Sequence, residues 1–345
     1  MQETMNAVVK TEAASGAEFK EVPIPDPSPT QVLIKVKSTS ICGSDYHIYS
    51  WNEWAQENIS LPHIMGHEVA GEIVKTGSQV SRLQKGDFIS AETHINCGHC
   101  YQCRTGKAHI CQNMQILGVH TDGVFSEYAV IESRVVVKIP EELPAEFASL
   151  LEPLGNAIDS IRAGQVEGKN VLITGAGPAG LMSVAVARAF GAARIIVTEP
   201  MEYRREMALD MGADHAIAPS QGLPKLVEDL TGGNGVDFVA EMSGKEAAIR
   251  QGLRQLTPGG KMAILGLPAG EVTMDLNNEV IFKGVEIEGI TGRWMYETWY
   301  IAKRLLQQNI INLDTLVTHK LNLDEFKHGM ELMEKGECGK IVLLT

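Results

Sequence analysis

The rhythm of apolar positions changes twice along the chain. Up to about residue 150 they come in short runs or alternate with polar ones, as in VLIKVKS, HEVAGEIVKTG, GDFISAET and FSEYAVIE. Gly and Pro bound these runs, and a period near two between such breakers predicts the strands of an all-β unit. From about 156 to 294 strand and helix patterns take turns. Apolar strand candidates begin near 171, 194, 214, 236, 261 and 285, and most intervals hold a helical stretch such as YRREMALDMGA or EAAIRQGLRQL. Six strands with helical crossovers predict a doubly wound parallel sheet. Beyond 295 come two helix-like stretches, near 297–308 and 324–334, and a last strand, GKIVLLT. There is no internal repeat and no low-complexity segment. The Pro-rich EVPIPDPSPTQ reads as a turn-rich connection inside the first domain.

Composition narrows the class. At 345 residues the chain is long for one core, so two domains are expected, and 44% hydrophobic with 21% charged residues is ordinary for a folded protein. With 30 basic and 43 acidic side chains the net charge is −13, which argues against nucleic acid and anionic membranes as partners. A local helix terminus can still bind an anionic cofactor against that field. The first residues, MQETMNAVVKTEAASG, lack the layout of a signal peptide, and Arg188 and Arg194 interrupt the best apolar run. Of six cysteines four are clustered, which suits metal ligands in a reducing compartment better than disulfides. A cytoplasmic protein is the expectation.

The stretch VLITGAGPAGLMSVAVARAFGA sets Gly175, Gly177 and Gly180 after a strand and at the start of a helix. The first allows a tight turn, the second a close approach of backbone to a pyrophosphate, and the third close packing of helix on strand. Ala179 stands where a larger apolar residue is common, without harm to binding. Glu199 ends the next strand, RIIVTEP, where a carboxylate accepts from the adenosine ribose and disfavours a 2′-phosphate, so NAD is the expected cofactor. Its bland alternative is a surface glutamate at a strand end. Arg204 and Arg205 follow closely and pull the other way on charge. Leu265, Gly266 and Leu267, with Ile290 and Thr291, follow late strands and are placed to line the nicotinamide.

Two groups of metal-ligating residue types follow different logic. In NCGHCYQCRTGKAHICQ the spacing of Cys97, Cys100, Cys103 and Cys111 can close four thiolates around one tetrahedral zinc, leaving no position for chemistry. His99 and His109 in the same lobe read as exposed loop residues. Cys42 in ICGSDYH, His67 and Glu68 in MGHEVAG, and Glu152 in LLEPLGNA suit an open zinc site. Singly each is weak: Cys42 could be a core thiol and His67 an ordinary strand histidine. Neighbours on a regular strand point to opposite faces, so His67 and Glu68 both reach one metal only if the backbone is irregular there. Spacing leaves Glu68 and Glu152 both open as the third ligand.

Taken together and in order, CGSDYH, GHE, the four-cysteine lobe, EPLGNA and GAGPAG resemble the zinc-dependent medium-chain dehydrogenase family over essentially the whole chain. HIYSWNEWAQENI and GITGRWMYETWY are similar to the subgroup that oxidises the β-hydroxyl of L-threonine. The resemblance implies a GroES-like β-rich catalytic domain over 1–155, with its zinc lobe at about 94–113, and a Rossmann domain over 156–294. It implies that 295–345 returns to the catalytic domain, that NAD is the oxidant, and that the protein is a homotetramer. Two zinc ions per chain are implied, the catalytic one held by Cys42, His67 and Glu152, with Glu68 a direct or exchanging ligand. Asp45 would orient His67, and Ser44 and His47 would pass the substrate proton to solvent while a hydride goes to the nicotinamide. His94 is expected near the substrate or in a structural role, and Cys338 is read as a core thiol. Arg293 and Glu152 are the charge-matched candidates for an amino acid's carboxylate and ammonium. The rival readings are a diol or polyol dehydrogenase on the same zinc, and a non-catalytic NAD-binding protein.

Overall fold

A computed structural model describes residues 3–219 and 222–345. They fall into two compact units: residues up to Glu152 together with Val317–Thr345, and Pro153–Leu316. These borders differ from the expected ones at 155 and 295. The helix Glu297–Gln307, which buries Trp299, Ala302, Leu305 and Leu306, goes with the second unit. Only the chain from Val317 onward rejoins the first.

The first unit is β-rich, as its short alternating runs predict. A three-stranded sheet sets Thr4–Lys10 between Glu18–Pro23 and His63–Ile64. The larger sheet runs Val136–Lys138, Phe88–Ala91, Glu68–Thr76, Gln31–Ile41, Lys340–Leu344, Val317–Asn322. The long strand Gln31–Ile41 organises it. In its first half Ile34 and Val36 are buried and Lys35 and Lys37 exposed, the period-two pattern of a one-sided strand. From Ser38 to Ile41 every residue is buried. A register shift against Glu68–Thr76 falls at this change, between the Val36 and Ser38 pairings. Such bulges re-aim a strand. The same edge takes two partners in tandem: Tyr128–Glu132 along Gln31–Lys35, and the C-terminal strand along Ser38–Ile41.

The second unit is a six-stranded parallel sheet in the order His215–Ile217, Arg194–Thr198, Asn170–Thr174, Val236–Glu241, Leu256–Ile264, Glu286–Gly289. All six strands expected from the apolar runs are present. The helices Pro178–Ala189, Glu202–Asp210, Leu223–Thr231 and Glu246–Gln255 supply the crossovers. Register places the carboxyl ends in one row, with Thr174 between Thr198 and Glu241, and Glu241 between Thr174 and Ile264. The order reverses at Asn170–Thr174, the switch point where such sheets bind ligands. No helix among the described residues is long and apolar enough to cross a membrane.

Candidate functional site

The metal-ligating group of the first unit is built where the buried half of Gln31–Ile41 ends. Cys42 follows that strand and precedes helix Gly43–Ser50. Its N–H donates to Asp45 Oδ2 at 2.8 Å, which pins the fully buried Asp45 and leaves Oδ1 facing His67 Nδ1 at 3.4 Å. His67 stands just before strand Glu68–Thr76, after Gly66 with φ +91°. A Cβ on Gly66 would lie 2.1 Å from Phe125 Cδ1, and one on Gly118 or Gly123 would lie 2.1 Å from the Gly66 carbonyl oxygen. This glycine-packed kink is the irregularity that lets neighbouring residues face one point. Ligand atoms of Cys42, His67 and Glu68 all lie within 4.8 Å of one another.

Glu68 is fully buried, accepts from the Ser40 hydroxyl, and has Lys340 Nζ 2.7 Å from each of its oxygens. Lys340 heads the last strand and is itself only 2% exposed. Burial works against the Lys340 charge, but Glu68, together with Cys42 and Asp45, outweighs it and holds the ammonium above its ordinary range. Burial likewise pushes the Glu68 carboxyl up, against the pull of Lys340. Sequence reasoning passed over Lys340. The available signal was a lysine at the head of the apolar run KIVLL, where a buried cation needs a carboxylate.

Zinc fits this group. Burial alone drives the His67 imidazole toward its neutral form, but Asp45 and Cys42 outweigh it and hold its pKa well above the ordinary value. Asp45 Oδ1 and His67 Nδ1 are buried and have no better-formed hydrogen bond than this contact. A carboxylate at one ring nitrogen leaves the other for a cation, the arrangement metal-binding histidines need. Glu152 lies outside the compact trio. It is 5% exposed and accepts from the Thr93 hydroxyl at 2.9 Å.

Ser44 and His47 are one turn apart on helix Gly43–Ser50 and share a face. His47 is exposed, with Nδ1 2.9 Å from Asn52 Nδ2 and its ring against Trp54. His94, in the short strand His94–Ile95, is half-buried, and Cys338 is buried.

Cys97, Cys100, Cys103 and Cys111 likewise bring their sulfurs within 4.8 Å of one another. Backbone N–H groups aim into the cluster, from Cys97 and Asn113 to Cys111 Sγ and from Cys100 to Cys97 Sγ. Such donors, that of His99 first, pull Cys97 down to about 5, while burial pushes Cys111 up to about 11. Four sulfurs at one point, with backbone N–H groups aimed at them, suit a divalent cation held by thiolates.

In the second unit Gly175 has φ +92°, and a Cβ on Gly180 would lie 1.9 Å from the Gly175 carbonyl oxygen. Gly177, before helix Pro178–Ala189, has nothing within 4 Å of that position, and Ala179 lies in the helix's first turn. Turn, close packing and open approach thus fall on the three glycines as their spacing predicts, and a pyrophosphate fits the turn. Glu199 is 5% exposed and accepts from Ala176 N–H at 2.8 Å and Met201 N–H at 3.0 Å. Arg205 spends its guanidinium on the carbonyls of Glu199 and Pro200, at 2.9 and 2.6 Å, and Arg204 lies beside it on the same helix. Leu265, Gly266 and Leu267 follow Leu256–Ile264, with Leu267 91% exposed, and Ile290 and Thr291 follow Glu286–Gly289. Arg293 is buried and donates to Asn156 Oδ1 at 3.0 Å. Glu241, which no motif marked, is fully buried beside the glycine turn.

Comparison with known proteins agrees with this chemistry. Residues 28–141 match the alcohol dehydrogenase GroES-like domain, and residues 178–308 match the zinc-binding dehydrogenase domain. L-threonine 3-dehydrogenase of Pyrococcus horikoshii is 53% identical over 346 residues, covering 100% of this chain and 99% of its own. The chain belongs to the zinc-binding dehydrogenases. Another member, L-threonine 3-dehydrogenase of Bacillus licheniformis, is 46% identical with 100% of both chains covered. Solved dehydrogenases share the fold at lower identity. A Sinorhizobium meliloti enzyme bound to NADP superposes with TM-score 0.91 at 27% identity, covering 100% of both chains. The 2R,3R-butanediol dehydrogenase of Bacillus subtilis superposes with TM-score 0.90 at 27% identity, covering 99% of both. Sharing this fold does not by itself fix the substrate.

Proposed function

We propose that this zinc-binding dehydrogenase oxidises the β-hydroxyl of L-threonine to the ketone of 2-amino-3-oxobutanoate, with NAD as acceptor. One observation carries the reading: a compact Cys42–His67–Glu68 group in a chain that runs end to end at 53% identity with a threonine dehydrogenase. Zinc held there supplies Lewis acidity that makes the substrate hydroxyl a stronger acid. NAD supplies the electron acceptor.

The chain's own residues do the rest. Asp45 holds His67 in one ring orientation. The Ser44 hydroxyl and the exposed His47 imidazole, on one helix face, pass the hydroxyl proton toward solvent. Glu152, with one oxygen held by Thr93, offers a carboxylate that suits the substrate ammonium or the metal. Glu199, its oxygens aimed by two backbone N–H groups, suits ribose hydroxyls and disfavours a 2′-phosphate, which supports NAD over NADP. The four-cysteine lobe keeps a structural zinc. In this reading the enzyme is a cytoplasmic homotetramer. The exposed edge strand Glu286–Gly289, with Ile281, Phe282 and Ile287 at the surface, supports association of copies.

The test is NADH formation with NAD and either L-threonine or a panel of small diols and polyols, repeated with Cys42→Ser. Preference for threonine, with a folded but inactive variant, is the expected result. Preference for diols would overturn the substrate, and no turnover by the zinc-loaded protein would overturn the enzyme.

A further inference from the structure

Between the glycine turn and the loop after Leu256–Ile264 lies a carboxyl group that the proposed chemistry does not use. Glu241 is 0% exposed and sits in the row of strand ends, with Thr174 on one side and Ile264 on the other. Its Oε1 accepts from the Thr174 hydroxyl at 3.3 Å, the Ser243 N–H at 2.9 Å, the Ser243 hydroxyl at 2.5 Å and the Gly244 N–H at 3.1 Å. Its Oε2 reaches the same Gly244 N–H at 3.2 Å. Its backbone carbonyl accepts from Leu265 N–H at 3.0 Å and Gly266 N–H at 3.2 Å. None of these donors is charged.

Close packing locks the arrangement. A Cβ on Gly266 would lie 2.1 Å from Gly244 N and 2.7 Å from Glu241 Oε2. One on Gly244 would meet the Leu267 carbonyl oxygen at 2.4 Å, and one on Gly175 would meet Ser243 Cβ at 2.9 Å. Three segments thus converge on one residue: the strand end entering the glycine turn, the 243–244 corner, and Leu265–Leu267.

We propose that Glu241 is a positioning residue that sets the distance between the two halves of the dinucleotide cradle. This rests on the cofactor reading above, in which Gly175–Gly180 and Glu199 take the adenosine diphosphate half and Leu265–Leu267 lines the nicotinamide half. A ligand that spans two subsites gains from both only when their spacing matches its own length. A carboxylate suits the task because it is acceptor-only and can take several N–H and O–H bonds at once. A glutamine there turns a donor toward either the Gly244 N–H or the Ser243 and Thr174 donors, so the corner must shift.

The experiment compares a ligand that spans both halves with one that does not. Binding of NAD and of AMP to the full-length, zinc-loaded protein is measured by calorimetry for wild type, Glu241→Gln and Thr174→Val. The variants should lose NAD affinity by about tenfold and a few-fold respectively, the scale of one buried hydrogen bond, with AMP affinity unchanged within about twofold. Equal weakening of both ligands would mark a merely structural residue and overturn the proposal, as would unchanged NAD binding. Thr174→Val severs the tie to the turn and leaves the carboxylate in place, so it decides alone if Glu241→Gln does not fold. A wild type that binds neither ligand would overturn the cofactor reading itself, and the proposal with it.

Discussion

Replacing Lys340 by Met isolates the charge that holds Glu68. Lys340 Nζ lies 2.7 Å from both carboxylate oxygens, the two side chains are 2% and 0% exposed, the Ser40 hydroxyl donates to the carboxylate, and His67 adds a weaker charge attraction. Removing one member of a buried ion pair costs about 3–5 kcal/mol, because the remaining charge is left uncompensated. The Ser40 hydroxyl bond is present in both proteins and cancels in the difference. A loss of about 3–5 kcal/mol is therefore expected for Lys340→Met, or roughly 6–20 °C in Tm for a body of this size. The double variant Glu68→Gln/Lys340→Met removes both charges of the pair and should recover at least half of that loss, about 1.5–2.5 kcal/mol.

Urea unfolding of the metal-free protein, followed by tryptophan fluorescence, measures both quantities without competition from zinc. The pH dependence supplies an independent sign. Without Lys340 the Glu68 carboxyl rises further above its unfolded value. A raised folded pKa gives stability that is present at low pH and lost as pH rises through it. The deficit of Lys340→Met should accordingly shrink as pH falls from about 7.5 toward 5. A loss below about 1 kcal/mol, or a double variant no better than the single, would refute the reasoning.

The other expectations concern the metal. Gly66→Ala forces a side chain into a left-handed backbone and against the buried Phe125 ring, at 2.1 Å. Elemental analysis should find the zinc of the Cys42 group lost and that of the cysteine lobe kept; two zinc ions per chain would refute this. Because Asp45 and Cys42 hold the His67 pKa well above the ordinary value despite burial, metal uptake must displace a proton there. The ion-pair contribution in the metal-free protein is present at low pH and lost as pH rises through that raised pKa, and zinc affinity runs the opposite way. Zinc affinity, read with a competing chelator, should weaken by about tenfold or more per unit as pH falls through neutrality, and a flat profile would contradict the assignment.

The parts of this molecule legible in its sequence are those encoded by local spacing. The six strand starts of the parallel sheet, the three glycine roles and the four-cysteine cluster each depend on residues a few positions apart. The trio of Cys42, His67 and Glu68 was legible as residue types but not as geometry. The kink that aims His67 and Glu68 together depends on Phe125 and on Gly118 and Gly123, some fifty residues on, packing against Gly66. The choice between Glu68 and Glu152 for the compact group depends likewise on where the helix Leu151–Arg162 begins relative to Thr93.

Lys340 and Glu241 were missed for a shared physical reason. A buried charge or acceptor is chosen by its partners, and those partners come from other elements: Lys340 lies 272 positions from Glu68, and Glu241 lies 67 from Thr174. In the sequence each looks like an ordinary polar residue at the end of an apolar strand, GKIVLL or DFVAEM. That position is itself the usable signal. Strand ends in a sheet buried on both faces have little access to water, so a charged residue there must find donors or a counter-charge from neighbouring strand ends. Neighbouring strand ends are also where an open α/β sheet binds its ligand. The rule picks out Glu199 and Glu241 in the second unit and, in the first, Glu68 and Lys340 together with Lys10, whose ammonium is taken up by the carbonyls of Gly16 and Tyr49. The other four lie beside a proposed ligand site, because sparse polar groups at the ends of apolar strands are what such sites are made from.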